Sequence, residues 1–259
     1  MRSNAFRWLA LVMLCAACIE KTASAQSLVF QHFPGREDVG ILCWAIPEDG
    51  AGYLSQIIVF ETDRRAIATR LWQSSIDSSY YPEIRFIPEI RVQGLPLALV
   101  QRQTGAASSQ LDVIGIAAGR MGRLIHFDGF QFDVVSLDGA KLPFIVAHRD
   151  ASILDVPEIY RWNGSTFVED SSSHPVYYRE LLAQDKAKLR PDADAVVLVN
   201  LSRIAVLSGD RSVARSILED ALSRERNKGN GANMESLRLI SKALRDLTRS
   251  SPHPHAQTK

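Results

Sequence analysis

Residues 109–129 read SQLDVIGIAAGRMGRLIHFDG, and this stretch decides the class of the fold. Arg123 and His126 are the polar positions of RLIHF and its other residues are apolar, which predicts a β-strand with one buried face. The turn Gly119-Arg120-Met121-Gly122 separates this run from the preceding apolar run, so the stretch predicts a β-hairpin. Similar pairs of runs occur at 55–74 and at 156–171. The second of these contains Asn163-Gly164, which predicts a type I′ turn because both residues tolerate positive φ angles.

Each predicted hairpin follows another apolar segment, at 40–47, 95–102 and 141–149. The units therefore repeat at intervals of about 45 to 55 residues, close to the length of one four-stranded blade of a β-propeller. This spacing predicts a mainly β repeat domain over residues 26–171, partly propeller-like, with about three blade-like units. The alternative fold is a β-sandwich with a helical cap.

Three segments resemble the FG-GAP or VCBS-type repeats of secreted bacterial β-propeller proteins: SLDGAKLPFIVAH (136–148), IRVQGLPLALVQR (90–102) and YRWNGSTFVED (160–170). The resemblance covers about 130 residues. It implies a turn before a short apolar strand and a hairpin that ends the blade. Calcium-binding members of the family carry Asp at alternate positions of that turn, whereas only Asp138 matches here. Because one carboxylate cannot replace the hydration shell of the ion, we expect a plain turn, no calcium site and no cofactor.

Residues 176–249 have almost no strand signal, and their apolar residues recur at the helical period. They predict about four helices, with Asp210 as the N-cap of one helix after the turn Ser208-Gly209-Asp210. The small-large-small series Ala214, Leu218 and Ala221 resembles the second helix of a tetratricopeptide repeat. The resemblance implies a C-terminal α-helical hairpin or tetratricopeptide-like module that binds proteins or peptides. The alternative is a helical hairpin or small bundle that caps the β domain.

Two further segments have the composition of irregular structure. The stretch VEDSSSHPV (168–176) is rich in Ser and contains Pro, so it predicts a hinge between the β domain and the helical module. Residues 250–259, SPHPHAQTK preceded by Ser250, predict a disordered tail.

The first residues, MRSNAFRWLALVMLCAACIEKTASAQ, have the pattern of a secretory signal peptide over positions 1–25. Arg2 and Arg7 precede an apolar run that is too short for a membrane span, and small residues predict cleavage after Ala25. The alternative is lipoprotein processing at Cys18, which would attach the protein to a membrane. We therefore predict a periplasmic or secreted protein, with an outer-membrane lipoprotein as the alternative.

Charge and cysteine content argue against nucleic-acid binding and against a catalytic thiol. The chain carries 30 basic and 29 acidic residues, and loss of residues 1–25 would keep it near neutrality. Such a balance gives no electrostatic reason to expect nucleic-acid binding. Cleavage would leave Cys43 as the single cysteine, inside the apolar run VGILCWAIP. That setting predicts buried packing and a raised thiol pKa rather than a catalytic thiol.

The candidate site residues are His126, Asp128, His148 and Asp150, which end two neighbouring β units in IHFD and AHRD. If these side chains meet at a sheet edge, they form a group suited to a metal ion or to general acid/base chemistry. Repeated surface-turn residues explain the same pattern. The sequence contains no Walker loop, no nucleophile elbow and no zinc-protease motif, and so it predicts no catalytic residue.

Two functions follow from these observations. The first is an exported, non-catalytic binding or scaffold protein that mediates protein–protein interaction in the bacterial envelope, with an unknown envelope protein or peptide as its partner. The second is a hydrolase-like enzyme with a cleft on the β domain. The sequence favours the first because it contains no complete catalytic constellation.

We expect export to be followed by cleavage after Ala25, because small residues at positions 23 and 25 fit the specificity of signal peptidase. Intact-mass analysis of the exported protein should give a chain that begins at Gln26. A lipid-modified chain that begins at Cys18 would contradict this prediction and support the lipoprotein alternative.

Overall fold

The computed structural model describes residues 27–48, 52–149, 154–190, 192–228 and 233–249. Over these residues the protein is mainly β, with three four-stranded antiparallel sheets followed by four helices. The prediction of a β region followed by a C-terminal helical region is therefore confirmed. No closed barrel or propeller occurs within the described ranges, and the propeller-like arrangement stays a prediction. The predicted signal segment, including Cys18 and Ala25, and the predicted tail at 250–259 lie outside the described residues.

Each sheet consists of strands that follow one another in the chain. The strands are β1 (Ser27–Phe33), β2 (Arg36–Glu48), β3 (Gly52–Thr62), β4 (Ala68–Gln73), β5 (Tyr80–Val92), β6 (Leu95–Gly105), β7 (Ser108–Ala117), β8 (Arg120–Gly129), β9 (Gln131–Val135), β10 (Phe144–His148), β11 (Glu158–Trp162) and β12 (Phe167–Glu169). Their orders are β1-β2-β3-β4, β5-β6-β7-β8 and β12-β11-β10-β9. All three sheets are therefore antiparallel meanders without crossovers.

The sequence predicts three of the four strands in each sheet. The apolar segments lie in β2, β6 and β10, and the predicted hairpins are β3–β4, β7–β8 and β11–β12. The first strand of each sheet is missing from the prediction. In β5 the reason is physical, because Pro82 and Pro88 lack the N–H group that a strand interior uses. β5 lies at the edge of its sheet, and its register with β6 shifts at both prolines.

Two turns differ in detail from their predictions. Between β7 and β8 only Ala118 and Gly119 leave the ladder, with φ angles of 50° and 75°. This turn is one residue earlier and shorter than the predicted Gly119–Gly122 turn. The type I′ turn predicted at Asn163-Gly164 is wrong, because Gly164 has a positive φ and Asn163 does not. Instead, the Asn163 Oδ1 atom accepts the Ser165 and Thr166 N–H groups, each at 3.0 Å, and forms an Asx turn.

The first two sheets share one apolar core. It contains buried side chains from both sheets: Phe33, Val39, Ile41, Cys43, Ile57, Val59, Ile84, Leu95, Ala98, Val100 and Ile114. Trp72 of β4 and Met121 of β8 pack against this cluster. Each large aliphatic side chain in it stabilises the fold by about 1.5–3 kcal/mol relative to an exposed position.

A charged group is buried beside this apolar core. Arg102 on β6 is 0% exposed, and so is Asp112 on β7. The Nη2 atom of Arg102 donates to Asp112 Oδ2 at 2.5 Å, and its Nη1 atom donates to Asp77 Oδ1 at 2.5 Å and to Ser55 Oγ at 3.0 Å. Ser55 belongs to β3, and its N–H donates to the carbonyl of Asp77 at 2.8 Å. Arg102 therefore links the second sheet to β3 of the first sheet, through Ser55, and to the connection between β4 and β5, through Asp77.

The C-terminal region contains α1 (Pro175–Lys188), α2 (Ala195–Leu207), α3 (Arg211–Asn227) and α4 (Met234–Arg249). Asp210 is the N-cap of α3, as predicted, because its Oδ1 atom accepts the Val213 N–H at 3.0 Å. This hydrogen bond holds the pKa of the Asp210 carboxyl below its usual value. Leu218 and Ala221, two members of the predicted small-large-small series, are buried with Val199 and Ile240 in the core of the helices.

The segment 168–176, which is predicted to be a hinge, contains ordered local structure. Ser171–Ser173 form a single turn of 3₁₀ helix, and Ser171 is buried. Its Oγ atom accepts the Ile159 N–H at 3.0 Å, and the Asp170 N–H donates to the Ile159 carbonyl at 2.7 Å. Ser171, one of the three serines that give this segment the composition of a linker, is therefore a buried hydrogen-bonding group.

The described residues divide into two compact units that interleave along the chain. The first unit comprises those within Met1–Ser136, Lys141–Asp150 and Arg161–Val168. The second comprises those within Leu137–Ala140, Ala151–Tyr160 and Glu169–Lys259, and it contains all the helices. The single boundary predicted between residues 171 and 176 stays a prediction.

We expect Arg102→Met to destabilise the first unit by about 3–5 kcal/mol, because it leaves Asp112 buried without its main cation. The free energy of unfolding can be measured by denaturant titration with tryptophan fluorescence, since Trp44 and Trp72 lie in the first sheet.

The matched control is Arg36→Met, which breaks a pair with Asp38 that is 42% exposed on both sides. Exposed pairs contribute about 0–1 kcal/mol, so this change should have little effect. Equal destabilisation by the two substitutions would show that burial of Arg102 does not determine the stability of this unit.

Candidate functional site

His126 and Asp128, two of the predicted site residues, lie together on β8. The Nε2 atom of His126 is 3.4 Å from Asp128 Oδ1, and its Nδ1 atom is 2.7 Å from Asp112 Oδ1. Arg123 Nη1 also donates to Asp112 Oδ1, at 3.2 Å. His126 therefore extends the buried Arg102–Asp112 pair towards solvent, since 28% of its side chain is exposed.

His148 has a different neighbour. Its Nε2 atom lies 3.6 Å from Asp133 Oδ2, and Asp133 is on the adjacent strand β9. Asp150 lies outside the described residues. The described ranges contain no group of three or more His, Cys, Asp and Glu side chains placed to hold a metal ion.

The spacing of residues in the sequence does not mark Asp112 as a partner of His126, although the position of Asp112 is unusual for a carboxylate. Asp112 lies inside the apolar run LDVIGIA, where a carboxylate is too costly to bury without a cation. Arg102 follows the apolar run LPLALVQ in the same way. A search for opposite charges in neighbouring apolar strands would have paired the two residues before the structure.

The turn at Leu137–Ala140 has Asp138 and Gly139 at its corner, as predicted. Both residues have positive φ angles, 53° and 68°, and the Ala140 N–H donates to the Leu137 carbonyl at 2.9 Å. The Asp138 Oδ2 atom lies 2.8 Å from Nδ1 of His174, whose side chain is 7% exposed. His174 Nε2 is 3.7 Å from Asp170 Oδ2. The carboxylate at this corner therefore holds a buried imidazole, a contact that the sequence does not predict.

Two weakly acidic side chains, the Cys43 thiol and the Tyr178 phenol, are buried. Burial raises the pKa of the Cys43 thiol to about 12, so the side chain stays a neutral thiol at neutral pH. Cys43 packs in the apolar core of the first two sheets, which confirms the predicted burial of this residue. Burial also raises the pKa of Tyr178 on α1, and its hydroxyl donates to the Pro157 carbonyl at 2.6 Å. Both groups serve the interior of the protein, and neither is poised as a nucleophile.

A concave cavity of about 430 Å³ lies within the helical unit. Its volume is in the range of about 300–1,000 Å³ that is usual for ligand pockets. Three helices line it, and most of the lining side chains are apolar: Val156, Val199, Ser202, Arg203, Val206, Leu207, Arg211, Ala214, Leu218, Leu239, Lys242, Ala243, Asp246 and Leu247. The cavity is therefore a mostly apolar concave surface that is formed by three helices.

The charged residues of this cavity are exposed at its rim. Arg203 belongs to α2, Arg211 to α3 and Lys242 to α4, while Asp246 is the one acidic residue of the lining. Within the described part of the chain, the three cations make no ion pair and no side-chain hydrogen bond. The sequence predicts the separate amphipathic helices but not the rim, because the rim depends on which faces of the helices meet.

We expect Asp138→Ala to destabilise the helical unit by about 1–3 kcal/mol, because it leaves a buried ring nitrogen of His174 without its acceptor. Asp138→Asn is the matched control, since Asn keeps an acceptor oxygen and also tolerates the left-handed backbone. Thermal unfolding followed by far-UV circular dichroism should separate the two variants. Equal melting temperatures would show that the contact with His174 contributes no stability.

Comparison of the chain with protein-family models, with curated proteins and with solved structures finds no match. Among the described residues, no helix is both long enough and apolar enough to cross a membrane. The case for a function therefore depends on the geometry of the charged residues and of the helical cavity.

Proposed function

We propose that the protein is an exported, non-catalytic binding or scaffold protein that mediates protein–protein interaction in the bacterial envelope. The observation that carries the proposal is the cavity of about 430 Å³ among α2, α3 and α4. It combines an apolar floor with exposed cations, and a partner can displace water from the floor while it pairs with the rim. Export rests on the signal pattern at residues 1–25, with lipoprotein processing at Cys18 as the competing form.

The charged residues of the first unit support a structural role for that unit. Arg102, Asp112 and His126 form one chain of contacts inside the fold. Side chains that satisfy one another in this way contribute to stability and are less available to a substrate. The helical cavity, in contrast, presents cations whose partners are not supplied by the described residues.

We also propose that the β sheets are degenerate blade-like units of the FG-GAP or VCBS type, and that the helices are a tetratricopeptide-like module. The first part is supported by the meander order of each four-stranded sheet, which is the order of strands in a propeller blade. The second part is supported by the burial of Ala214, Leu218 and Ala221 on α3. Such repeats present a concave surface to proteins and peptides.

Site-specific photo-crosslinking of the full chain tests the proposed function. A photo-reactive residue at Val206, which lines the cavity and is partly exposed, should give a discrete protein adduct in cells. The same residue at Arg245, on α4 but outside the cavity lining, should give none.

A photo-reactive residue at a third position distinguishes binding by the first unit from binding by the helical unit. Ile67 is 59% exposed in the connection between β3 and β4 of the first unit. Adducts from Ile67 with none from Val206 would move the binding function to the β sheets. The absence of an adduct from all positions would contradict a binding function.

A further inference from the structure

The charges around the helical cavity point to the chemistry of its partner. Resting on the function proposed above, the geometry points to a peptide segment in which apolar side chains are flanked by several carboxylates. The apolar floor has partly exposed side chains at Val206 of α2 and at Leu239 and Leu247 of α4. Burial of a partner's aliphatic side chains on this floor supplies affinity, because it removes apolar surface from water on both sides.

The rim selects the sign of the partner's charge. Arg203, Arg211 and Lys242 outnumber Asp246, so the cavity has an excess of positive charge at its opening. Complementary charges speed association and fix the orientation of the bound segment, while like charges reject other partners. A basic segment with the same apolar side chains is therefore expected to bind less well than an acidic one.

The distribution of the cations favours a peptide over an amphiphile with a single head group. The three cations of the lining come from three different helices. One carboxylate at the end of an acyl chain can pair with one side of this rim. A peptide carries carboxylates at several points along its backbone, and so it can satisfy cations from more than one helix at once.

The test uses the full mature chain and short fluorescent peptides. The acidic probe has two leucines flanked by aspartates and glutamates, and the basic probe has lysines at the same positions. Fluorescence anisotropy should give tighter binding of the acidic probe than of the basic probe. The affinity for the acidic probe should fall as the salt concentration rises, because at about 0.1 M salt the attraction between exposed charges is screened beyond a Debye length of about 10 Å. Equal binding of both probes, or binding that is indifferent to salt, would overturn the inference.

Two charge reversals on one helix locate the site. Lys242→Glu should weaken binding of the acidic probe about tenfold and strengthen binding of the basic probe, since it reverses one charge of the rim. Arg245→Glu is the matched control, because it reverses a charge three residues away that does not line the cavity. Similar effects of the two substitutions would show that the cavity is not the binding site.

Two further measurements separate the competing occupants. Ala243→Phe fills the cavity without a change of charge and should abolish binding of the acidic probe, with circular dichroism as the check on the fold. We expect the unlabelled acidic peptide to displace the fluorescent acidic probe, and we expect dodecanoate not to displace it. Binding of dodecanoate without binding of the peptides would identify a site for fatty acids and overturn the inference, as would occupation by a second copy of the chain in sedimentation.

The outcome also separates this inference from the proposed function. If neither peptide binds while Val206 still forms a protein adduct, the binding function stands and the acidic chemistry of the partner is wrong. If both the peptides and the adduct fail, the binding function itself is contradicted.

Discussion

A single buried guanidinium constrains the arrangement of the first two sheets. Transfer of Arg102 from water into the protein costs several kcal/mol, and its contacts with Asp112, Asp77 and Ser55 offset that cost only with good geometry. Because the fork of a guanidinium is planar and rigid, the residues that it contacts can shift little relative to β6. Its Nε atom has no hydrogen-bond partner among the described residues, so the contacts at the two Nη atoms carry this role. The apolar core that the first two sheets share packs beside this group of polar contacts.

The sequence predicts the strands that share a repeated pattern of apolar and turn residues, and it misses the strands that lack this pattern. Strands β2, β6 and β10 each contain an apolar run, and the hairpins after them are bounded by turn residues, so both signals are visible in a single sequence. β5 is hidden by two prolines that only an edge position tolerates. The composition around Ser171 does not predict its hydrogen bond with Ile159, because that bond depends on a strand from elsewhere in the chain.

The candidate sites depend even more on contacts that are distant in sequence. His126 and Asp128 are two residues apart, and their proximity follows from one strand. Asp112, which approaches the other nitrogen of His126, comes from the neighbouring strand in a register that residue types alone do not fix. The helical cavity requires three helix faces to converge. Periodicity assigns an apolar face to each helix, but the cations at the rim become neighbours only after the helices pack.

The interleaving of the two units has a consequence for how this gene can be rearranged. The described residues within Leu137–Ala140 and Ala151–Tyr160 belong by contact to the helical unit, although β strands of the first unit surround them in sequence. Ser171 and Tyr178 use atoms of Ile159 and Pro157 as their hydrogen-bond partners. A rearrangement that transferred residues 176–249 alone would therefore separate Tyr178 from its hydrogen-bond partner Pro157. Inheritance of the whole segment as one piece preserves both halves.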